Sequence, residues 1–202
     1  AMRSDGMKRM ILDLRDNSGG LLSSAVEVAE IFVPAGEVIV SIRGREDFDL
    51  REFRASSNGE FQDLLVVVLI NEGSASASEI LAGALSVLRG AELIGEKSFG
   101  KGSVQTIFPL SDNSGLRLTT AMYFLPDGST IHEEGLEPDF FVSCDEDNET
   151  KLRIQRFGKR NLDSAEFEKL FGFSPIVDRQ LEKAYDRILG ILGKPNARTP
   201  LE

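Results

Sequence analysis

Residues Val66 to Gln105 read VVVLINEGSASASEILAGALSVLRGAELIGEKSFGKGSVQ. The apolar run Leu64–Ile70 is too short for a buried helix and rich in β-branched residues, so it predicts a buried strand. Gly73 allows a tight turn, because glycine accepts backbone angles that other residues resist. Ser74, Ser76 and Ser78 then fall where a helix begins. Ala75, Ala77, Ile80, Leu81, Ala84, Leu85 and Leu88 give that helix its apolar body. Glu92–Gly95 opens a second short strand, and Lys101 follows between Gly100 and Gly102. A serine at a helix N-terminus sits among unpaired backbone N–H groups and the positive end of the helix dipole. That setting suits a nucleophile whose reaction builds an oxyanion. The stretch therefore reads as a serine nucleophile, Ser76, with a lysine base, Lys101.

Each part also has a plainer reading. Ser76-Ala-Ser-Glu79 matches the capping box, in which serine and glutamate satisfy each other's backbone donors. A lysine in a glycine-rich loop is ordinarily just solvated. Gly95-Glu-Lys-Ser-Phe-Gly100-Lys101 fits the phosphate-loop pattern G-x-x-x-x-G-K, which would make the chain a nucleotide binder. Against this, Gly102 stands where that motif needs Ser or Thr for magnesium. The residues that follow, SVQTIFPL, predict a strand where the motif needs a helix.

Upstream, Met10–Leu14 predicts a strand and Asp16-Asn-Ser-Gly-Gly20 a turn. Leu21–Val33 carries apolar residues at helical spacing and is stopped by Pro34-Ala-Gly36. Glu37–Arg43 alternates as a strand, and the charged segment Arg45–Arg54 predicts an exposed hairpin or loop. Ala1–Lys8 reads as a polar lead-in with no basic-then-apolar signal segment. Downstream, Thr106–Leu110 and Leu116–Leu125 predict strands joined by the turn Ser111-Asp-Asn-Ser-Gly115. Thr130–Pro138 carries His132, expected to make a structural hydrogen bond rather than to act in catalysis. After Val142 the composition shifts. Cys144–Glu149 reads as an acidic linker and the remainder as helical. Asp178–Leu192 is amphipathic, with Leu181, Ala184, Tyr185, Ile188 and Leu192 on one side, and is expected to close over the core rather than to form an oligomer contact.

Composition narrows the classes. The 202 residues suffice for one domain with a real core, and 41% hydrophobic with 28% charged residues is ordinary for a globular protein. A net charge of −10 argues against binding a phosphate backbone. No apolar run approaches the roughly 20 residues a membrane helix needs. The single cysteine, Cys144, excludes an internal disulfide. The single histidine, His132, excludes a histidine-rich metal site.

Three motifs, LDLRDNSGG, NEGSASASEI and GEKSFGKGSVQ, stand in an order that resembles the carboxyl-terminal processing peptidases, or tail-specific proteases, over roughly Gly6–Asp139. The resemblance implies a serine endopeptidase with a Ser/Lys dyad, no cofactor, and an acyl-enzyme intermediate. Position by position it makes Ser76 the nucleophile, Lys101 the general base and Gln105 a support for the lysine. Glu79 is a candidate supporting residue near the dyad. The N–H of Ala77 and one glycine of the Asn17-Ser-Gly19-Gly20 turn, Gly19 or Gly20, match the oxyanion hole. Ser18 stands where the family commonly has proline. The implied fold is α/β, a crotonase-like and Clp-protease-like core of ββα units with a helical C-terminal segment. Residues 1–143 would form the catalytic core, lacking the family's N-terminal strands and PDZ domain. Residues 144–202 would form the linker and the helices packed on that core. Expected partners are protein or peptide substrates held by their C-terminal region, with a PDZ domain in the full-length protein, no nucleic acid, and room for a homo-oligomer. The family's usual place is outside the cytoplasm, periplasmic or membrane-associated. Two other readings stand beside this one: a non-catalytic peptide-binding module of the same fold, and a nucleotide-binding protein.

Overall fold

The structure, a computed structural model, describes residues 6–45, 50–158 and 162–190. Two four-stranded sheets and five helices are built from them. The first sheet is parallel, in the order β1 (Arg9–Asp13), β4 (Leu65–Ile70), β5 (Glu92–Gly95), β8 (Phe140–Phe141). The second is antiparallel, in the order β3 (Leu50–Arg54), β2 (Val38–Arg43), β7 (Gly115–Phe124), β6 (Ser103–Pro109). Helices α1 (Leu22–Glu30) and α2 (Ala77–Arg89) lie between the sheets. Helices α3 (Glu146–Phe157), α4 (Ser164–Phe171) and α5 (Arg179–Leu189) follow β8. The mixed α/β architecture expected from the sequence is the one observed.

β4 is central because it is apolar on both faces. Val66, Val68 and Ile70 point into the main core with Ile80, Leu81, Ala84 and Leu85 of α2 and Ala25, Ala29 and Val33 of the α1 region. Val67 and Leu69, one residue out of phase, point the other way and pack with Ile94, Ala184 and Ile188. The two-residue side-chain period of a strand thus serves two layers at once, which is why a continuous apolar run marks a covered parallel strand. Gly83 of α2 faces Leu125 so closely that an added Cβ would meet the leucine Cδ1 at 2.6 Å.

Several elements differ from expectation. Asp145 and Glu146–Glu149, expected as a linker, are the N-cap and first turn of α3, where Asp145 accepts from Asn148 N. Acidic residues favour that position because the helix dipole is positive there. The segment read as a loop or hairpin supplies β3, antiparallel to β2, while residues 46–49 lie outside the described residues. β8 is two residues long and too short to leave a periodic signal. α5 presents Ala184 and Ile188 to the first sheet, whereas Tyr185 and Leu189 are exposed. Leu192, assigned to the same helical side, lies outside the described residues, as do residues 1–5 of the lead-in.

A buried ion pair ties α5 to the end of β1. Arg15, 4% exposed, donates to Asp13 at 2.7 Å, to Asp178 at 2.9 Å and to Gln180 at 3.0 Å. Asp178 is also the N-cap of α5, accepting from Leu181 N. Burial opposes its ionisation, but the Arg15 guanidinium and the Leu181 N–H outweigh burial and hold the carboxyl below its usual range. Asp178→Asn keeps the cap but leaves a buried guanidinium with one carboxylate fewer. It is expected to cost about 1.5–3 kcal/mol near neutral pH. A carboxyl depressed in the folded state contributes stability that is full above its unfolded value near 4 and is lost as pH falls through the folded value. The gap between wild type and variant in urea denaturation should therefore close below about pH 4.

Candidate active site

β1 and β4 are parallel neighbours, so the turns leaving their C-terminal ends lie side by side, and the crevice outside those ends is where open α/β sheets place their sites. The first turn, Leu14–Gly20, and the second, Asn71–Ser76, are joined by buried hydrogen bonds. Ser74 Oγ donates to Leu14 O at 2.7 Å and accepts from Asn71 N at 3.0 Å. Ala75 N donates to Asn17 O at 3.0 Å.

The structure separates the three serines at the head of α2. Ser74 and Ser78 are buried, Ser74 as a structural link between turns. Ser76 is partly exposed and is the N-cap, with φ 57° and ψ −119°. A non-glycine residue in that region is strained and persists only where its surroundings hold it, and such strain clusters at functional sites.

What holds Ser76 is Glu79. This carboxylate is 0% exposed and has four donors. One oxygen accepts from Ser98 Oγ at 2.5 Å and Gly100 N at 2.7 Å, the other from Ser76 N at 2.8 Å and Lys101 N at 2.9 Å. The glutamate half of the expected capping box is therefore present. The same side chain also fixes the backbone of Lys101 to that of Ser76. Ser98, which the sequence reading did not single out, is buried, donates to Glu79 and accepts from Leu136 N at 2.6 Å. Its one-dimensional signal was only a serine in a glycine-rich loop.

The glycines flanking Lys101 are required by close packing. A Cβ on Gly102 would meet His132 N at 2.5 Å, and one on Gly100, whose φ is +90°, would meet Gly135 N at 3.0 Å. Residues 131–136 thus back the lysine loop. The lysine residue itself is exposed, and no hydrogen bond joins its Nζ to Ser76 Oγ. Gln105 is exposed on β6 at the bulge between Val104 and Gln105. His132 lies against Gly102; its backbone N–H donates to Thr130 Oγ1 at 3.1 Å and its Nε2 lies 3.9 Å from Glu133 Oε1, while its buried Nδ1 has no partner among the described residues. Lys101 leads into β6 and not into a helix, so Gly95–Lys101 does not form a phosphate-binding loop.

Gly19, with φ +91°, lies so close to Ser76 that an added Cβ would meet Ala77 N at 2.8 Å and Ser76 Cβ at 3.1 Å. Its own N–H donates to Asn17 Oδ1 at 2.9 Å. Among the described residues, the N–H groups of Gly20 and Ala77 have no hydrogen-bond acceptor; Ala77 directly follows Ser76, and Gly20 lines the same cavity as Ala77. A cavity of about 330 Å³ adjoins them, lined by Gly19, Gly20 and Ala77 and walled by the apolar side chains of Leu14, Ala25, Val28 and Leu81. No group of acidic, histidine or cysteine side chains among the described residues is arranged to hold a metal ion.

The chain is similar in sequence to known proteins over most of its length. It is 43% identical over 198 residues to the carboxy-terminal-processing protease of Bartonella bacilliformis, an alignment covering 93% of this chain and 45% of that protein. It is 43% identical over 138 residues to a probable CtpA-like serine protease of Staphylococcus aureus, covering 68% of this chain and 28% of that protein. The chain therefore spans less than half the length of these relatives. Among solved structures it resembles the photosystem II D1 C-terminal processing protease, with a TM-score of 0.65 and 38% identity over 70% of this chain and 36% of the other. A putative S41 protease of Bacteroides fragilis shares the fold, with a TM-score of 0.66, 18% identity and coverage of 95% of this chain and 47% of the other. The model of peptidase family S41 matches residues 1–142. With this model matching most of the chain and these relatives in agreement, the chain belongs to peptidase family S41.

Proposed function

We propose that this chain carries the catalytic centre of a serine endopeptidase that cuts unfolded or C-terminally tagged protein tails through an acyl-enzyme. Ser76 Oγ attacks the peptide carbonyl, and Lys101 Nζ takes its proton and returns it to the leaving amine. The N–H groups of Ala77 and Gly20 receive the oxyanion, with Gly19 providing the close approach. Gln105 orients the lysine. The observation that carries this reading is the Glu79 carboxylate, which fixes the backbone of a strained Ser76 to the backbone of Lys101. Lysine must be neutral to act as base, and its ordinary pKa is about 10.4. The apolar cavity beside Gly19, Gly20 and Ala77 would take the side chain next to the scissile bond, which fits an apolar tail.

Residues 1–143 act in this reading as the catalytic core and 144–202 as a helical segment packed on it. A PDZ domain elsewhere in the full-length protein would deliver substrate C-termini. The extracytoplasmic placement and a homo-oligomer belong to the same reading. No helix among the described residues is long and apolar enough to cross a membrane. A second reading, a non-catalytic peptide-binding module, draws on the exposed Lys101 and the missing Ser76–Lys101 hydrogen bond.

Cleavage of an unfolded protein with an apolar C-terminus, followed across pH, separates the two. Ser76→Ala and Lys101→Ala should each abolish cleavage, and Lys101→Arg should be nearly as inactive because a guanidinium stays charged. Substantial cleavage by Lys101→Arg would sink the lysine base. Cleavage by none of the proteins, with peptide binding retained, would favour the binding module.

Glu79→Gln tests the clamp. Whichever way the amide is turned, its NH2 faces two of the four donors, and each unsatisfied buried donor costs about 1–3 kcal/mol. A loss of about 2–6 kcal/mol is expected, divided between thermal stability and kcat.

Ala25→Leu narrows the cavity. It should lower kcat/KM for a large apolar residue before the scissile bond about 10- to 100-fold, while alanine at that position is affected far less. Equal losses for both substrates would remove the cavity from substrate selection.

A further inference from the structure

Helix α3 bears Glu149, Arg153 and Arg156, spaced i, i+4 and i+7 and therefore on one face. All three reach the two turns of the active-site crevice. Arg153 donates to Asp16 Oδ1 at 2.7 Å and Arg156 to Asp16 Oδ2 at 2.5 Å. Glu149 accepts from Asn71 Nδ2 at 2.8 Å. Asp16 and Asn71 are in turn bonded to each other twice. Asp16 N donates to Asn71 Oδ1 at 2.8 Å, and Asn71 Nδ2 to Asp16 Oδ1 at 3.2 Å.

These two residues stand at the root of each turn. Asp16 has a φ of 58°, a strained value for a residue with a side chain. It begins the Asp16–Gly20 turn, whose Asn17 holds Ala75 N through its carbonyl and Gly19 N through its side chain. Asn71 is 2% exposed and begins the turn that ends in Ser76, accepting from Gly73 N at 3.1 Å. The turns are so close that a Cβ on Gly73 would meet Asp16 Cα at 2.9 Å. The Asp16 side chain is 8% exposed, so its charge needs partners, and both of its cationic partners come from α3.

Packing does not account for this arrangement. Leu152 is the one buried residue of α3; Ile154 is only half-buried, Phe157 is exposed, and the other residues of the helix are charged or polar. A helix present only to cover apolar surface would show a wider buried stripe.

We propose that Glu149, Arg153 and Arg156 are positioning residues for catalysis, which hold the glycine turn against the Ser76 turn through Asp16 and Asn71. This rests on the reading of Ser76 as nucleophile. The helices after residue 144 are then part of the catalytic apparatus, although among the described residues no hydrogen bond or ion pair joins their side chains to Ser76. Arg156 carries the larger share, because its side chain is 17% exposed against 56% for Arg153.

The test uses the full chain with two readouts, hydrogen exchange by mass spectrometry and steady-state cleavage of an unfolded protein. In Arg153→Gln/Arg156→Gln, exchange in residues 14–21 and 71–76 should rise about tenfold while β4 and the body of α2 stay protected. kcat should fall about 10- to 100-fold with KM changed less than about threefold. Arg153→Lys/Arg156→Lys should recover most of both, and Arg156→Gln should be worse than Arg153→Gln. Unchanged exchange in residues 14–21 would overturn the proposal, as would a rise spread evenly over β4 and α2, which is the mark of general destabilisation. Ser76→Ala runs alongside. Cleavage surviving in that variant would remove Ser76 as nucleophile while leaving the exchange result to decide whether α3 holds the turns.

Discussion

The arrangement around Ser76 depends on one buried carboxylate. An ionised group removed from water is expensive unless its lone pairs are satisfied, and Glu79 has four donors for its two oxygens. Those donors are the head of α2, the Gly100–Lys101 backbone and Ser98, which itself holds Leu136. Satisfying the charge thus brings together three segments far apart in sequence. The same bonds keep Ser76 in a backbone conformation it would not adopt by preference. Strain at the N-cap and the cost of burying a carboxylate each find their compensation in the other.

The parallel sheet supplies the frame. β1 and β4 run side by side and end together, so the two turns share a wall without any long connection between them. Glycine at positions 19 and 73 matters because backbone meets backbone there. A methyl group on Gly19 would fall on Ala75 O and Ala77 N, and one on Gly73 on Asp16. Closeness of this kind brings the glycine turn against the head of α2 at Ser76 and Ala77.

On the opposite side of the sheet from α2, α5 packs by apolar contact, and α3 is held to the turns at the sheet's end mainly by charge. Arg15 and Asp178 fasten α5 at the end of β1, and Asp16 and Asn71 fasten α3 one step further along the same turns. Buried ion pairs add little net stability compared with apolar packing of the same shape, yet they are demanding about geometry. The pair of Arg187 and Glu92 lies on β5, but the other buried pairs gather at the end of β1 and the turn that follows it, which matches a need for placement more than for stability.

Much of this was legible in the residue order. The double-faced apolar run of β4, the serines heading α2, the glycines around Lys101 and the DNSGG turn each have a local physical cause, so the α/β class and the pair Ser76 and Lys101 were legible in them, while the resemblance to the carboxyl-terminal processing peptidases added Ala77, Gly19 or Gly20, Gln105 and Glu79. The residue order put Ser76 forward, and burial is what the structure adds to separate it from Ser74 and Ser78. Local pattern could not reveal that Glu79 reaches the lysine loop, that Ser98 helps to hold it, or that Asp145–Glu149 open a helix whose next turns grip Asp16. Those contacts join residues between 19 and 140 positions apart. A side chain's partner across such a distance follows from how the sheet stacks its turns, and spacing along the chain carries no record of it. The sequence alone settled which chemistry the residues could support; the tertiary structure decided which of them meet.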